Sequence, residues 1–143
     1  MNVYYAFLIF IACLGISLLF NLRGKIIVFS ALGGAAGWFT FELLTFVSSD
    51  LLQYFFAAVF ISIYSEILAR LHKVPATIYL TVSLIPMVPG AGIYQAMRAC
   101  ISGDQTRFVQ VGLHTLAIAG VLALGILLIS TLFFLWKNIL SNH

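Results

Sequence analysis

Long apolar runs separated by short polar stretches make up most of this chain, and they restrict its fold more than any other feature. A helix needs about 20 apolar residues to cross the hydrocarbon core of a bilayer. The runs cover residues 3–20, 26–47, 51–69, 74–101 and 108–136. They are continuously apolar and lack the alternation of a membrane β-barrel strand. The sequence therefore predicts an all-α integral membrane protein of about five transmembrane helices, forming a single membrane domain over residues 1–143.

The scarcity of charged residues leads to the same conclusion. Only 8% of the residues are charged and 63% are hydrophobic, whereas a soluble domain carries about a quarter charged residues. Charges this sparse cannot cover a water-facing surface, so lipid must surround most of the chain. The net charge of +3 comes from cations spread between the apolar runs. This distribution favours loop anchors in a lipid bilayer, and no nucleic-acid partner is expected.

Neither the N-terminus nor the cysteines carry a processing or cofactor signal. The first run has no basic segment before it and no small-residue cleavage site after it, so we expect a transmembrane helix rather than a signal peptide. Cys13 and Cys100 lie in apolar stretches without a CxxC pair or clustered histidines. We interpret both as small apolar side chains in packed helices, and we expect no metal or other cofactor.

Lys and Arg residues indicate the orientation, because cytoplasmic loops are enriched in them. No cation precedes the first run, whereas basic residues follow the first and third runs. This pattern predicts an external N-terminus, and five crossings then place the C-terminus in the cytoplasm. In that topology the internal cations are Arg23, Lys25, Arg70, Lys73 and Lys137, and the external ones are Arg98 and Arg107.

The fourth run leaves two topologies open, a full crossing or a re-entrant hairpin. A hairpin would place six cations inside and only Lys137 outside, so the charge count mildly favours the hairpin. Length favours a crossing, because the 28 residues of this run can span the membrane even with a break.

The fourth run is interrupted by Pro86, Pro89, Gly90 and Gly92. A proline inside a helix removes a hydrogen bond and clashes with the preceding turn, which costs about 3 kcal/mol or more. The interruption includes the midpoint of the run, so we expect it near the bilayer centre. Irregular backbone at that depth must be buried in protein or line a cavity.

Such a break divides the run into two half-helices. The N-terminus of the second presents unpaired N–H groups and the positive end of the helix dipole, which together form an anion site. Discontinuous helices meet substrate carboxylates in this way in secondary transporters. The alternative is a structural kink or a packing notch. On the first interpretation, the substrate-binding residues are Pro86, Pro89, Gly90, Gly92, Tyr94 and Gln95.

Ionisable residues inside the apolar runs need an explanation, because a charge at the bilayer centre costs at least about 2.5–3.5 kcal/mol. Glu66 precedes Arg70 by one helical turn, a spacing that predicts a local ion pair. Glu42, Arg98 and His114 converge on a similar depth in the outer half of the membrane if all five runs cross. We expect Glu42 to pair with Arg98 or His114, directly or through a partner chain, and Glu42 or His114 to carry a proton.

The alternative for these groups is structural. Glu42 would then be neutral and hydrogen-bonded within its own helix, and Arg98 would snorkel to the headgroups. Elsewhere, Gly33 and Gly37 form a GxxxG spacing, which predicts close helix packing.

Three segments carry a resemblance to a known family: residues 69–76 (ARLHKVPA), residues 85–94 (IPMVPGAGIY) and the pair Gly103-Asp104. They resemble the threonine/serine exporter (ThrE) family, and a chain of this length is similar to its small YjjB-type subunit. The resemblance implies export of threonine and serine in one branch, and of dicarboxylates such as succinate in another. It also implies a larger YjjP-type membrane subunit as partner, and residence in the inner (cytoplasmic) membrane of a bacterium.

Five crossings in each subunit would place the two in opposite orientations, as in an inverted-repeat transporter. The sequence has no nucleotide-binding motif, so we expect a gradient or an ion flux to drive transport. The rival interpretation is a non-transporting assembly or scaffold subunit. An enzyme is not expected, because the sequence lacks HExxH, GxSxG and paired acids with a nearby histidine.

Overall fold

The computed structural model describes residues 3–46 and 49–141, and nearly all of them are helical. The helices are α1 (Val3–Leu19), α2 (Lys25–Leu43), α3 (Asp50–His72), α4 (Ala76–Leu84), α5 (Gly90–Ile101) and α6 (Gln105–Ser141). Short 3₁₀ turns follow α2 at Leu44–Phe46 and α4 at Ile85–Met87. No strand occurs within the described residues. This confirms the all-α class that the apolar runs predict.

Three of the helices are long and apolar enough to cross a membrane: α2 with its 3₁₀ turn, α3, and α6. The fourth candidate is the pair α4 and α5, which pass the same test together and are bent by 50° at the break between them. α1 is apolar but has only 17 residues, about 25 Å at 1.5 Å per residue, which is at the short limit for a crossing. The chain is therefore a multi-pass membrane protein, and α1 is the candidate for a fifth span.

Two helix boundaries differ from the predicted runs. The second run, 26–47, is helical to Leu43 and ends in a 3₁₀ turn at Phe46, while residue 47 lies outside the described residues. α6 has 37 residues, about 55 Å in length, and is longer than the predicted 108–136. Since the hydrocarbon core is about 30 Å thick, α6 extends beyond it.

α2 packs against α1, α3 and α4, and its small residues allow these helices to approach closely. Gly33 and Gly37 are buried. A Cβ atom on Gly33 would overlap Ser83 of α4, and one on Gly37 would overlap Ile61 of α3. This confirms the close packing predicted from the GxxxG spacing, and the partner helices belong to the same chain.

α3 and α6 run parallel to each other. Asp50, the first residue of α3, contacts His114 in the first third of α6. Arg70, in the last turn of α3, lies over the ring of Phe133, 4.7 Å from its centroid. α4 and α5 therefore carry the chain from the C-terminal end of α3 back to its N-terminal end. A re-entrant hairpin would make α6 antiparallel to α3, so the parallel course favours a crossing.

The α5–α6 connection explains the Gly103-Asp104 pair. Gly103 has a φ of +76°, a left-handed conformation that glycine adopts most readily. Its N–H donates to the Cys100 carbonyl, and the Asp104 N–H donates to the Ala99 carbonyl, which is the Schellman pattern. The Asp104 carboxylate then accepts the Arg107 N–H at 3.0 Å and caps α6. The pair is therefore a helix stop followed by a helix start.

The α3–α4 turn is similarly built from the first of the family-like segments. Lys73 adopts a left-handed conformation with a φ of +55°, and the Val74 N–H donates back to α3 at 3.0 Å. The Tyr79 hydroxyl forms a 2.8 Å hydrogen bond with Nδ1 of His72, and Tyr79 is fully buried. His72 also packs on Phe29 of α2, so the turn lies beside the start of α2. Both predicted cytoplasmic loops are thus at one end of the bundle.

Candidate functional site at the helix break

The chain leaves helical geometry between α4 and α5. The 3₁₀ turn ends at Met87, Val88 is extended with a ψ of 128°, and Pro89 precedes the first residue of α5. The Gly90 N–H donates to the Val88 carbonyl at 2.7 Å. Met87 is buried against Ile61, the central residue of α3. The predicted break is therefore present, and it begins at the middle of the bundle.

A cavity of about 1000 Å³ opens beside the break. Among the predicted site residues, Pro86, Pro89, Gly90, Gly92 and Gln95 line it. The ionisable side chains in its lining are Asp50, Asp104, Arg107 and His114. The irregular backbone therefore lines a cavity whose wall includes charged side chains, as the physics of the bilayer interior allows.

The two glycines in the first turn of α5 have different surroundings. Gly90 is exposed, and a Cβ atom there would meet nothing within 4 Å. A Cβ atom on Gly92 would overlap the hydroxyl oxygen of Thr115 in α6. N–H groups in a first helical turn have no acceptor within the helix. Since Gly90 donates to Val88, the next two N–H groups, those of Ala91 and Gly92, are the ones a bound anion would meet.

Tyr94 and Gln95 lie further along α5. Gln95 lines the main cavity, and both side chains line a second one of about 520 Å³. Arg98 lines this second cavity too, and Arg107 lines both. The two cavities share part of their walls, so they adjoin along the α5–α6 hairpin.

His114 contacts an acidic residue that the sequence analysis did not single out. Its Nε2–H donates to Oδ2 of Asp50 at 2.9 Å, and both side chains are about half exposed (51% and 49%). Asp50 is the first residue of α3 and follows a pair of serines, so the sequence alone indicates a charged residue in a loop. A local pattern gives no sign of this contact, because it depends on the parallel packing of α3 and α6.

The other predicted polar contacts fall into two groups. The Glu66–Arg70 pair is present at 4.0 Å, as its spacing predicts. Glu42 lies half-buried on α2, and its expected pairing with Arg98 or His114 stays a prediction. Arg107 was also not predicted as a site residue. It lies in the first turn of α6, and the capping residue Asp104, three positions earlier, is the sequence feature that could have located it.

Aromatic side chains of α2 and α3 form one wall of the cavity. Trp38, Phe41 and Tyr54 line the cavity. The rings of Trp38 and Phe41 are 5.5 Å apart, and those of Phe41 and Tyr54 are 4.6 Å apart. Tyr54 is one turn after Asp50 in α3, so the aromatic wall begins beside the Asp50 carboxylate.

The cysteines are free thiols in different settings. Cys13 is buried, as expected for a packed helix, whereas Cys100 is exposed on α5. Within residues 3–46 and 49–141, no group of three or more His, Cys, Asp or Glu side chains could hold a metal ion.

Comparison with known families gives one result that covers most of the chain. The family described as Threonine/Serine exporter, ThrE, matches residues 5–132, which include the break, the cavity and both turn segments. No protein of curated function and no solved structure matches the chain. On the extent of the family match, the chain belongs to the threonine/serine exporter family of membrane transport proteins.

Proposed function

We propose that the chain is the small subunit of a two-component secondary exporter of small carboxylate-bearing metabolites, either threonine and serine or dicarboxylates such as succinate. Its family supports transport as the activity. The observation that carries the proposal is the cavity at the helix break, where the first turn of α5 meets four ionisable side chains.

The cavity suits a small polar metabolite in size and lining. Ligand pockets typically measure about 300–1,000 Å³, so a volume of about 1000 Å³ admits an amino acid or a dicarboxylate. A carboxylate that leaves water needs hydrogen bonds or an opposite charge to offset its desolvation. The first-turn N–H groups of α5 and the positive end of its dipole supply both.

The exposed side of α5 is the proposed contact with the larger YjjP-type subunit. α5 packs mainly against α6, and Ile93, Tyr94 and Met97 are exposed. A second subunit on this side would complete the wall between the cavity and the surrounding lipid. From the charge pattern we infer that, in the inner membrane, the N-terminus lies outside, the C-terminus lies in the cytoplasm and the cavity lies towards the outer face. Transport is then driven by a gradient or an ion flux.

Efflux from intact cells tests the proposal. Cells lacking this chain, cells lacking the larger subunit and complemented cells are loaded with labelled threonine or succinate. Each deletion should slow efflux of the transported metabolite several-fold, and re-expression should restore it. Unchanged efflux of both metabolites in both deletions would exclude them as substrates. A scaffold subunit would instead tolerate a side chain that fills the cavity at the break.

A further inference from the structure

The charges around the main cavity are of both signs. Its ionisable lining consists of two carboxylates (Asp50 and Asp104), the Arg107 guanidinium and the His114 imidazole. With His114 neutral the lining carries a net charge of about −1, and with His114 protonated it carries none. A dicarboxylate would therefore enter a site with no net positive charge. A zwitterion has its own positive group and avoids that repulsion.

Asp50 is the carboxylate available for such a positive group. Its side chain lines the cavity, and His114 donates one hydrogen bond to its Oδ2. A carboxylate can accept about four hydrogen bonds, so the bond from His114 orients Asp50 without saturating it. Asp104, by contrast, is engaged with the backbone of Arg107 as the cap of α6.

Asp50 and the first turn of α5 line the same cavity. Gly92 in that turn packs against Thr115, Thr115 is the next residue after His114, and His114 contacts Asp50. Two direct contacts thus connect the helix N-terminus to the carboxylate. A small molecule with adjoining carboxylate and ammonium groups could reach both from one position in the cavity.

The aromatic wall favours the same group beside Asp50. Tyr54, which lines the cavity one turn after Asp50, packs against Phe41 with ring centroids 4.6 Å apart. Aromatic faces attract a cation within about 6 Å of the ring centroid. They offer nothing comparable to a second carboxylate, because the face of the ring carries negative potential.

We propose that Asp50, oriented by His114, binds the ammonium group of the substrate while the first turn of α5 binds its carboxylate, so that the cavity selects α-amino acids over dicarboxylates. Asp50 is then a specificity-determining residue of the exporter. This inference rests on the proposed function of the same cavity.

The first test uses the wild-type chain with its partner subunit in cells. Efflux of threonine, serine, succinate and N-acetylthreonine is measured by mass spectrometry at matched internal concentrations. N-acetylthreonine keeps the carboxylate and hydroxyl of threonine but lacks the ammonium group. We expect threonine and serine to leave about two- to fivefold faster than the other two, since an ion pair with a half-exposed carboxylate contributes modestly to binding. Equal efflux of threonine and N-acetylthreonine would overturn the inference.

The second test changes Asp50. Asp50→Asn should raise the KM for threonine about two- to fivefold and leave any succinate efflux unchanged or faster, whereas Asp50→Glu should retain part of the threonine efflux. Glu66→Gln, which removes a carboxylate paired with Arg70 away from the cavity, is the matched control and should behave as wild type. If Asp50→Asn fails to reach the membrane, the comparison of threonine with N-acetylthreonine and the Asp50→Glu variant test the role of Asp50 instead.

The outcomes separate this inference from the proposed function. Wild-type cells that export none of these metabolites would overturn the proposed function. Wild-type cells that export threonine while Asp50→Asn keeps the same KM would overturn the role of Asp50 alone. A wild-type chain that prefers succinate to threonine would leave the export of carboxylates intact and contradict the selection of amino acids.

Discussion

Gly92 of α5 and Thr115 of α6 approach so closely that a Cβ atom on Gly92 would overlap the threonine hydroxyl. That hydroxyl donates to the Val111 carbonyl at 2.7 Å, which holds the side chain in place. The contact lies one residue from His114 and therefore joins the half-helix to α6 beside the cavity. The position of the α5 N-terminus depends on it.

We predict that Gly92→Ala destabilises the protein, because the added methyl group must displace Thr115 or push α5 away from α6. Overpacking of this kind costs about 1–3 kcal/mol. The thermal unfolding midpoint in detergent should fall, and threonine efflux should fall with it. Gly90→Ala is the control, because a Cβ atom there meets nothing within 4 Å.

The second half of this test removes the clash from the other side. In Thr115→Ala, the hydroxyl and methyl groups nearest to the added Cβ are gone, and the remaining Thr115 Cβ is 3.4 Å away, an ordinary contact. The double variant should therefore be more stable than the sum of the two single changes indicates. Purely additive losses would show that the two residues do not compete for the same space.

Gly90→Leu should block transport without unfolding the chain. The position is exposed and lines the cavity, so a leucine side chain would occupy space that a substrate needs. We expect efflux to fall at least about tenfold, since steric exclusion of this kind costs more than 1.4 kcal/mol, while the unfolding midpoint stays within a few degrees. Gly120→Leu on α6, another exposed glycine with open space around it, should keep normal efflux. Normal efflux in Gly90→Leu would remove the break from the substrate path and favour a scaffold role.

The fold class and the break follow from the sequence because both arise from short-range physics. Apolar runs of spanning length must be helical in lipid, and the effect of Pro86 and Pro89 extends over about one turn. The structure adds that the break begins beside Ile61 at the middle of α3, while the α5 N-terminus lies towards Asp50. The bend between α4 and α5 and the register of helix packing determine these two positions. Neither the bend nor the register can be read from a few neighbouring residues.

The composition of the candidate site was only partly predictable for the same reason. Gln95 was expected there and lines the cavity, and His114, which was expected only as an intramembrane polar group, lines it too. Asp50 and Arg107 were not expected, because each becomes a cavity residue only through contacts between distant segments, α3 with α6 and α5 with α6. The Gly103-Asp104 pair shows the opposite case, in which a family-like motif is explained by local turn geometry.

Tyr79→Phe should destabilise the α3–α4 turn without affecting substrate selection. The variant leaves the partly buried His72 without its 2.8 Å hydrogen-bond partner, and the loss of such a hydrogen bond costs about 1 kcal/mol. Tyr94→Phe changes an exposed tyrosine of α5 and should leave the unfolding midpoint unchanged. A change in the threonine-to-serine efflux ratio in Tyr79→Phe would contradict this structural role.

The parallel course of α3 and α6 predicts that the two ends of the bundle face opposite sides of the membrane. A membrane-impermeant maleimide can test this with Ser102→Cys, in the α5–α6 connection, and Arg23→Cys, in the α1–α2 connection. Both changes are made in a Cys100→Ser background, because Cys100 is exposed and Cys13 is buried. We expect Ser102→Cys to react in intact cells and Arg23→Cys to react only in inverted vesicles. If both cysteines react from the same side of the membrane, the fourth run is a re-entrant hairpin. Reaction from opposite sides in the reverse sense would keep the crossing and invert the proposed orientation.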